Sequence, residues 1–185
     1  ALESATLKKF SIGFHLSEFR LEYNLANNNT QIKETYCLAI GSAFHFSLKS
    51  LACSNATYGI FGKSLFGSEM EDIFVVDCLR GIYGNPTLDN SAATACTSLS
   101  LNNIKIDNCV TAIYFRNLFY SKFSGYCQNI NSSLPQCPAG EMPVCFFLKN
   151  SSNITLQFGC ETGDSYQGNA MLFYGGSFIT MKLNL

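Results

Sequence analysis

The sequence contains no tryptophan, only two histidines and few charged residues, and each shortage excludes something. Charged residues make up 14% of the chain, against about 25% in an average soluble protein. The net charge is −1 and no run of lysine or arginine occurs, so the chain lacks the basic surface that binds nucleic acid. No stretch of about 20 apolar residues occurs, and no signal-peptide segment is visible. We therefore expect any membrane anchor to lie outside this sequence.

Cysteine, in contrast, is abundant, and nine cysteines in 185 residues indicate an oxidising, extracellular compartment. Five Asn-x-Ser/Thr acceptor sites for N-glycosylation point the same way, although chance alone would give about three. Because nine is odd, at least one cysteine is unpaired or paired outside the chain. We expect residues 1–185 to form a single β domain that is one piece of a larger surface protein. The candidate glycosylation sites are Asn28, Asn55, Asn131, Asn150 and Asn153.

The cysteines are predicted to form disulfides rather than a metal site. Neither His15 nor His45 lies near a cysteine at ligand spacing, and Cys127, Cys137 and Cys145 are too widely spaced for a zinc ribbon or finger. The sequence therefore predicts no metal and no cofactor. Disulfides should concentrate between positions 127 and 160, with the connectivity open. The candidate disulfide cysteines are Cys37, Cys53, Cys78, Cys96, Cys109, Cys127, Cys137, Cys145 and Cys160.

Catalytic motifs are weak, so no enzyme activity is expected. Gly163-Asp164-Ser165 matches the opening of one class of serine esterase, but no histidine follows position 45 to act as a base, and a loop turn explains the tripeptide better. Two sets of carboxylate residues could each form a glycosidase pair if the fold brought their members together, but solvated turns are the simpler interpretation. These groups are Glu71 and Asp72 with Asp77, and Glu161 with Asp164.

The pattern of apolar residues predicts an all-β fold. Residues 10–25 alternate apolar and polar side chains in two runs separated by Ser17-Glu18, which predicts an antiparallel hairpin. Residues 37–52 are rich in alanine and leucine and form the one helix candidate. Long loops that could carry a binding surface are predicted at 84–98, 129–143 and 159–169. Further strands are predicted at 73–76, 99–106, 110–116, 144–148, 153–158, 170–174 and 178–185.

A weak internal repeat supports a second fold, a right-handed parallel β-helix. Gly59-Ile60-Phe61-Gly62 is echoed by Gly81-Ile82-Tyr83-Gly84, and apolar pairs recur at intervals that suggest coils with two loop insertions. The alternative interpretation is that a chain with 47% apolar residues supplies such echoes by chance.

Segments of the C-terminal third carry a family resemblance. They are Tyr126-Cys127-Gln128, Leu134-Pro135-Gln136-Cys137, Met142–Asn150, Asn153–Leu156 and Leu172–Phe178. This order resembles part of the N-terminal S1 domain of coronavirus spike glycoproteins, in which a Pro-x-Cys strand precedes a glycosylated strand and an aromatic-Gly-Gly hairpin. Tyr23-Asn24-Leu25 followed by Cys37 is similar, more faintly, to arenavirus receptor-binding glycoproteins. The resemblance implies a disulfide-braced antiparallel β-sandwich of galectin-like type.

The function that this resemblance implies is attachment of a virion or another extracellular surface protein to a host receptor, either a glycan or a protein, without catalysis. The parent protein would be a homo-oligomer. The candidate receptor-binding residues are Tyr166, Gln167 and Asn169, in a loop whose polar and aromatic side chains suit sugar binding. The alternative is a fragment of a phage tailspike-like β-helix that binds or cleaves bacterial surface polysaccharide. Hydrolase or lyase activity would belong only to that alternative.

Overall fold

The computed structural model describes residues 11–22, 34–84, 95–132, 134, 137–161 and 169–184. Within these residues the chain forms β-strands and no helix, and no segment could cross a membrane as a helix. All strand pairs are parallel. The strands are β1 (Ser11–Ile12), β2 (His15–Glu22), β3 (Tyr36–Phe44), β4 (Ser47–Ser54), β5 (Tyr58–Phe66), β6 (Glu69–Val76), β7 (Arg80–Gly84), β8 (Cys96–Thr97), β9 (Ser100–Asp107), β10 (Thr111–Arg116), β11 (Leu118–Gln128), β12 (Val144–Glu161) and β13 (Asn169–Asn184).

The strands wind into a parallel β-helix. Each coil lays one strand in a first sheet, turns a corner and lays the next strand in a second sheet. β12 makes this path visible, because its first part pairs with β10 and its second part pairs with β11. Sheet A contains β1, β3, β5, β7, β10 and the first parts of β12 and β13; sheet B contains β2, β4, β6, β9, most of β11 and the second parts of β12 and β13. The short strand β8 pairs with the end of β5 and with the first residues of β11.

This architecture shows that the predicted antiparallel, galectin-like β-sandwich is wrong, whereas the alternative of a parallel β-helix agrees with the strand pairing. Register partners on adjacent coils are 22 residues apart where the coil is shortest, as between Tyr58 and Arg80, and 25 to 33 residues apart where the coil contains additional residues, as between Val144 and Asn169 or Thr111 and Val144. The Gly-Ile-aromatic-Gly echo is real, since Ile60 pairs with Ile82 and Phe61 with Tyr83. Apolar alternation is the same in parallel and antiparallel strands, so it could not decide between them.

One residue per coil in a left-handed backbone conformation makes the corner between the sheets. The corner residues of successive described coils are register partners. Their backbone amides donate to carbonyl groups of the next coil, as in His45 N–H to Phe66 O at 2.9 Å. Positive φ redirects the chain after a single residue, so the strand can turn without a loop. We call this column the corner ladder, and its members are Gly13, His45, Gly67, Ser98, Tyr120, Asn153 and Phe178.

The corner ladder explains two local predictions that failed. The predicted hairpin at 10–25 does not form, because β1 and β2 occupy one coil and pair with β3 and β4 instead of with each other. The predicted helix at 37–52 is β3 and β4, since the corner at His45 interrupts the alternation. Both ends of the predicted loop at 159–169 are strand, because β12 continues to Glu161 and β13 begins at Asn169, and 162–168 lie outside the described residues.

Inward side chains stack in columns to form the core. One column in sheet A runs Ile60, Ile82, Ile113 and Phe146, all essentially inaccessible to solvent. Near the corner, buried serines satisfy backbone groups of two coils at once. For example, Ser121 Oγ accepts from Leu99 N–H at 3.0 Å and donates to Phe119 O at 2.8 Å. Such pairing matters because an unpaired buried polar group is costly.

We predict that Gly125→Ala destabilises the helix strongly. Gly125 lies at a bulge in β11 with φ of 149°, and an added Cβ would lie 2.0 Å from Ile104 O. Relieving this backbone clash should lower the free energy of unfolding by about 3 kcal/mol. Gly140→Ala is the matched control: it also has positive φ but meets no atom within 4 Å, so it should cost only about 1 kcal/mol. Urea denaturation measures both, and equal losses would contradict the prediction.

Candidate functional site

A continuous chain of aromatic rings covers the outer face of sheet A. It follows from the register, because Phe61, Tyr83, Tyr114 and Phe147 occupy the same outward position in successive coils. The Gly-Ile-aromatic-Gly echo in the sequence was the available signal for this column, although the sequence analysis did not identify it as a binding surface. We call the whole chain of rings the aromatic ladder, and its members are Tyr36, Tyr58, Phe61, Tyr83, Tyr114, Phe147 and Tyr174.

The rings contact one another closely from coil to coil. The centroids of Tyr83 and Tyr114 are 4.1 Å apart and those of Tyr114 and Phe147 are 4.5 Å apart, with nearly parallel planes in both pairs. Tyr58 meets Tyr83 edge to face at 5.2 Å. Each such pair contributes about 0.5–1.5 kcal/mol beyond the area it buries. The stacked rings cover each other's faces, and Tyr58 and Tyr114 are themselves buried, so solvent reaches the aromatic ladder mainly at its other members.

Arg80 is the central charged group on this face. Its guanidinium pairs with Glu141 at 2.6 Å, donates to Thr111 Oγ1 at 3.2 Å, and lies 5.4 Å from the ring centre of Tyr83. Burial is the largest single influence and lowers the pKa of Arg80, but the charge and hydrogen bond of Glu141 together with the nearby tyrosines Tyr83 and Tyr58 leave the pKa raised. Arg80 is therefore a fixed cation held by the polar side chains of Glu141 and Thr111 beside an aromatic ring.

A second carboxylate, Glu34, lies at the beginning of the same face. It accepts a hydrogen bond from the hydroxyl of Tyr36 at 2.7 Å and a longer one from Tyr58 at 3.4 Å. Burial and this hydrogen bond raise the pKa of Tyr36, and burial raises that of Tyr58. Both tyrosines therefore keep their hydroxyl protons at neutral pH and remain hydrogen-bond donors.

The segment that precedes β12 carries Glu141, which lies beside Arg80 of β7. It also encloses a shallow pocket of about 310 Å³, lined by Ser132, Cys137 and the residues 138–143. The predicted loop at 129–143 thus does contribute to a concave surface. Its position beside the aromatic ladder makes this part of sheet A the best candidate binding site on the described chain.

Of the three predicted receptor-binding residues, Tyr166, Gln167 and Asn169, only Asn169 is among the described residues. Tyr166 and Gln167 lie outside the described residues, as does the Gly163-Asp164-Ser165 tripeptide. Asn169 is the first residue of β13 and is the register partner of Val144.

The candidate carboxylate pairs are engaged elsewhere. Glu71 pairs with Lys49 at 2.8 Å, Asp72 accepts from Asn103 and Asp77 accepts from Asn108, both at 2.6 Å. These contacts lie on the sheet B side and connect neighbouring coils. They therefore stabilise the stacking of the coils. Asp164 lies outside the described residues.

The predicted glycosylation sites fall at turns. Asn153 belongs to the corner ladder, and Asn150, exposed beside it, also has positive φ. Asn55 donates to Glu22 at 3.2 Å, and Asn131 donates to Asn108 Oδ1 at 3.0 Å. Asn28 lies outside the described residues. Glycosylation of these asparagines remains a prediction.

The structure brings together three of the candidate disulfide cysteines. The Sγ atoms of Cys127, Cys145 and Cys160 all lie within 4.8 Å of one another and are buried, whereas Cys137 lies apart on the loop that lines the pocket. Cys127 donates to Cys160 at 3.6 Å. Hydrogen bonds with Cys127 and Cys145 lower the pKa of Cys160 to about 4, and hydrogen bonds with Cys145 and Cys160 raise that of Cys127.

A second group of thiols lies near the other end of the helix. Cys37 donates to Ser54 O at 3.3 Å, and hydrogen bonding with Cys37 raises the pKa of both Cys53 and Cys78. Burial raises the pKa of Cys96 and of Cys109 to about 12. The structure holds these cysteines as thiols, and the disulfides expected from the sequence remain a prediction.

Comparison with protein-family models, with curated proteins and with solved structures finds no match to this chain.

We predict that Glu141→Ala destabilises the protein more than Glu71→Ala does. Both variants break an ion pair, but the Arg80 and Glu141 side chains are only 21% and 20% exposed, against 49% for both partners of the pair between Lys49 and Glu71. Leaving Arg80 without its counter-charge should cost about 2 kcal/mol, whereas the exposed pair is worth about 0.5 kcal/mol. Urea denaturation at low salt would test this, and the prediction is wrong if the two losses are the same.

Proposed function

We propose that this chain is a tailspike-like β-helix module that binds an extended polysaccharide, without cleaving it, as part of an extracellular or virion-surface protein. The observation that carries the proposal is the aromatic ladder beside Arg80 and Glu141 on sheet A.

The regular repeat of this face suits a polymer. Neighbouring strands in a sheet are about 4.8 Å apart, so the aromatic ladder repeats similar groups at about this interval along the helix axis. A ligand that repeats in one direction can contact several coils in the same way. A small, single ligand would use only the part near the pocket.

The chemistry of the face suits sugars. Sugar rings combine apolar patches with many hydroxyl groups, and tyrosine offers an apolar ring edge together with a hydrogen-bonding hydroxyl. Arg80 adds charged donors and Glu141 a charged acceptor, which fix the orientation of hydroxyl groups. Nucleic acid is a poorer candidate, because the chain has a net charge of −1 and Arg80 is already neutralised by Glu141.

Binding is favoured over cleavage by the state of the carboxylates on this face. Glycoside hydrolysis needs one carboxylic acid and one carboxylate on opposite sides of the scissile bond. Glu141 is held in its ion pair by Arg80, and Glu34 accepts hydrogen bonds from tyrosine hydroxyls. Both carboxylates are committed to these partners, so neither is free to act on a leaving group.

We predict that Tyr83→Ala weakens polysaccharide binding and that Phe74→Ala does not. Tyr83 lies in the middle of the aromatic ladder, whereas Phe74 is a 40% exposed aromatic residue on the outer face of sheet B. Losing the central ring should weaken binding roughly tenfold, which corresponds to about 1.4 kcal/mol. Affinity electrophoresis against a panel of bacterial capsular and O-antigen polysaccharides would find the ligand and measure both variants.

Three results would count against the proposal. The first is that no polysaccharide of the panel is retained by the wild-type protein. The second is that Phe74→Ala and Tyr83→Ala reduce binding equally. The third is the appearance of new reducing or unsaturated ends in the polymer, which would show that the surface cleaves its ligand.

A further inference from the structure

We propose that Cys127, Cys145 and Cys160 form a buried site that binds one divalent thiophilic ion of the zinc class through three sulfur atoms. The proposal concerns the interior of the helix, so it is independent of the polysaccharide surface.

Strand register brings the three sulfurs together. Cys127 in β11 and Cys160 in β12 are direct register partners in sheet B. Cys145 lies near the beginning of β12 in sheet A and points into the same interior, where all three Sγ atoms lie within 4.8 Å of one another. β12 therefore supplies two of the three sulfurs, one from each sheet.

The sulfur separations suit a common metal ion. Zinc–sulfur bonds are about 2.3 Å long, so three sulfurs around one zinc ion lie about 4 Å from each other. The sulfurs of Cys127 and Cys160 are 3.6 Å apart, close to this value. A disulfide needs a sulfur–sulfur distance of about 2.05 Å and would use only two of the three cysteines.

The surroundings select the class of ion. Among the described residues, this is the one group of three thiol, imidazole or carboxylate side chains close enough to share an ion. All three ligands are soft sulfurs, which excludes calcium and magnesium. A divalent ion would leave one net negative charge in the apolar interior and a monovalent ion would leave two, so burial favours the divalent ion.

Packing alone does not require three sulfurs here. The positions of Cys145 and Cys160 are occupied in the third coil by Gly59 and Val75, which are in contact in the same interior. In the fourth coil they are occupied by Gly81 and Ile106, also in contact. A small and a branched apolar residue thus fill this space well, and a trio of thiols adds ligands rather than volume.

The binding step is an exchange of protons for the ion. Each thiol that still carries a proton loses it to solvent as its sulfur–metal bond forms, and neither the metal nor the sulfur changes oxidation state.

Cadmium is a suitable spectroscopic probe for this class of ion. The reduced, metal-free protein would be titrated with Cd²⁺ alone, and the cadmium–thiolate charge-transfer band in the ultraviolet would be followed. We expect one Cd²⁺ per chain, displaceable by Zn²⁺. Cys145→Ala should weaken binding by about 100-fold or more, because one of three ligands is lost. Cys109→Ala is the matched control, since Cys109 is equally buried but lies outside the trio, and it should bind as the wild type does.

A measurement on the wild-type protein keeps the proposal testable if Cys145→Ala does not fold. X-ray absorption of the Cd²⁺-loaded wild type should show three sulfur ligands. Two sulfurs with additional oxygen or nitrogen ligands would overturn the proposal. So would a disulfide between any two of Cys127, Cys145 and Cys160 in protein isolated without reductant, or equal binding by Cys145→Ala and the wild type.

Discussion

Backbone hydrogen bonding between coils in strict register is the interaction on which the rest of this structure depends. The coils are parallel and each strand bonds to the equivalent strand of the next coil, so a shift in one coil would displace every side chain stacked on it. The corner ladder preserves this register. Its amides continue the inter-coil bonding where the strands end, as in Gly67 N–H to Thr97 O and Ser98 N–H to Phe119 O. Insertions are tolerated because the chain returns to the same register after each of them.

Because of this register, equivalent residues of successive coils stack in columns, and the side chains of a column are chemically similar. Outward positions of sheet A carry aromatic rings that stack from coil to coil. Inward positions carry apolar side chains, and buried serines near the corner join the backbones of adjacent coils. A side chain that suits one coil therefore suits its neighbours. This is why a face of similar side chains spanning several coils can arise from a short sequence echo.

Much of the all-β character could be predicted from the sequence, but the direction of the strands could not. Alternation assigns side chains to one face of a strand or the other, but it does not indicate which strand is the neighbour. The intervals of 31 and 33 residues hide the basic interval of 22. The corner ladder has no consensus residue type either, since residues as different as Gly67, His45, Tyr120 and Asn153 adopt the same backbone conformation there. Backbone bonding between coils imposes positive φ there, even on residues that disfavour it.

The trio of cysteines was missed for a related reason. Rules for zinc ligands in sequences assume ligands on short local loops, whereas the parallel β-helix makes neighbours of Cys127 and Cys160 across a whole coil. The same strand also connects the interior to the outer face of sheet A. β12 begins directly after the segment that carries Glu141, directs Cys145 inward, and directs Phe147 into the aromatic ladder. An ion bound to Cys145 and Cys127 would join β12 to the preceding coil at this point. It would thereby fix the strand from which both Phe147 and the Glu141 segment are positioned.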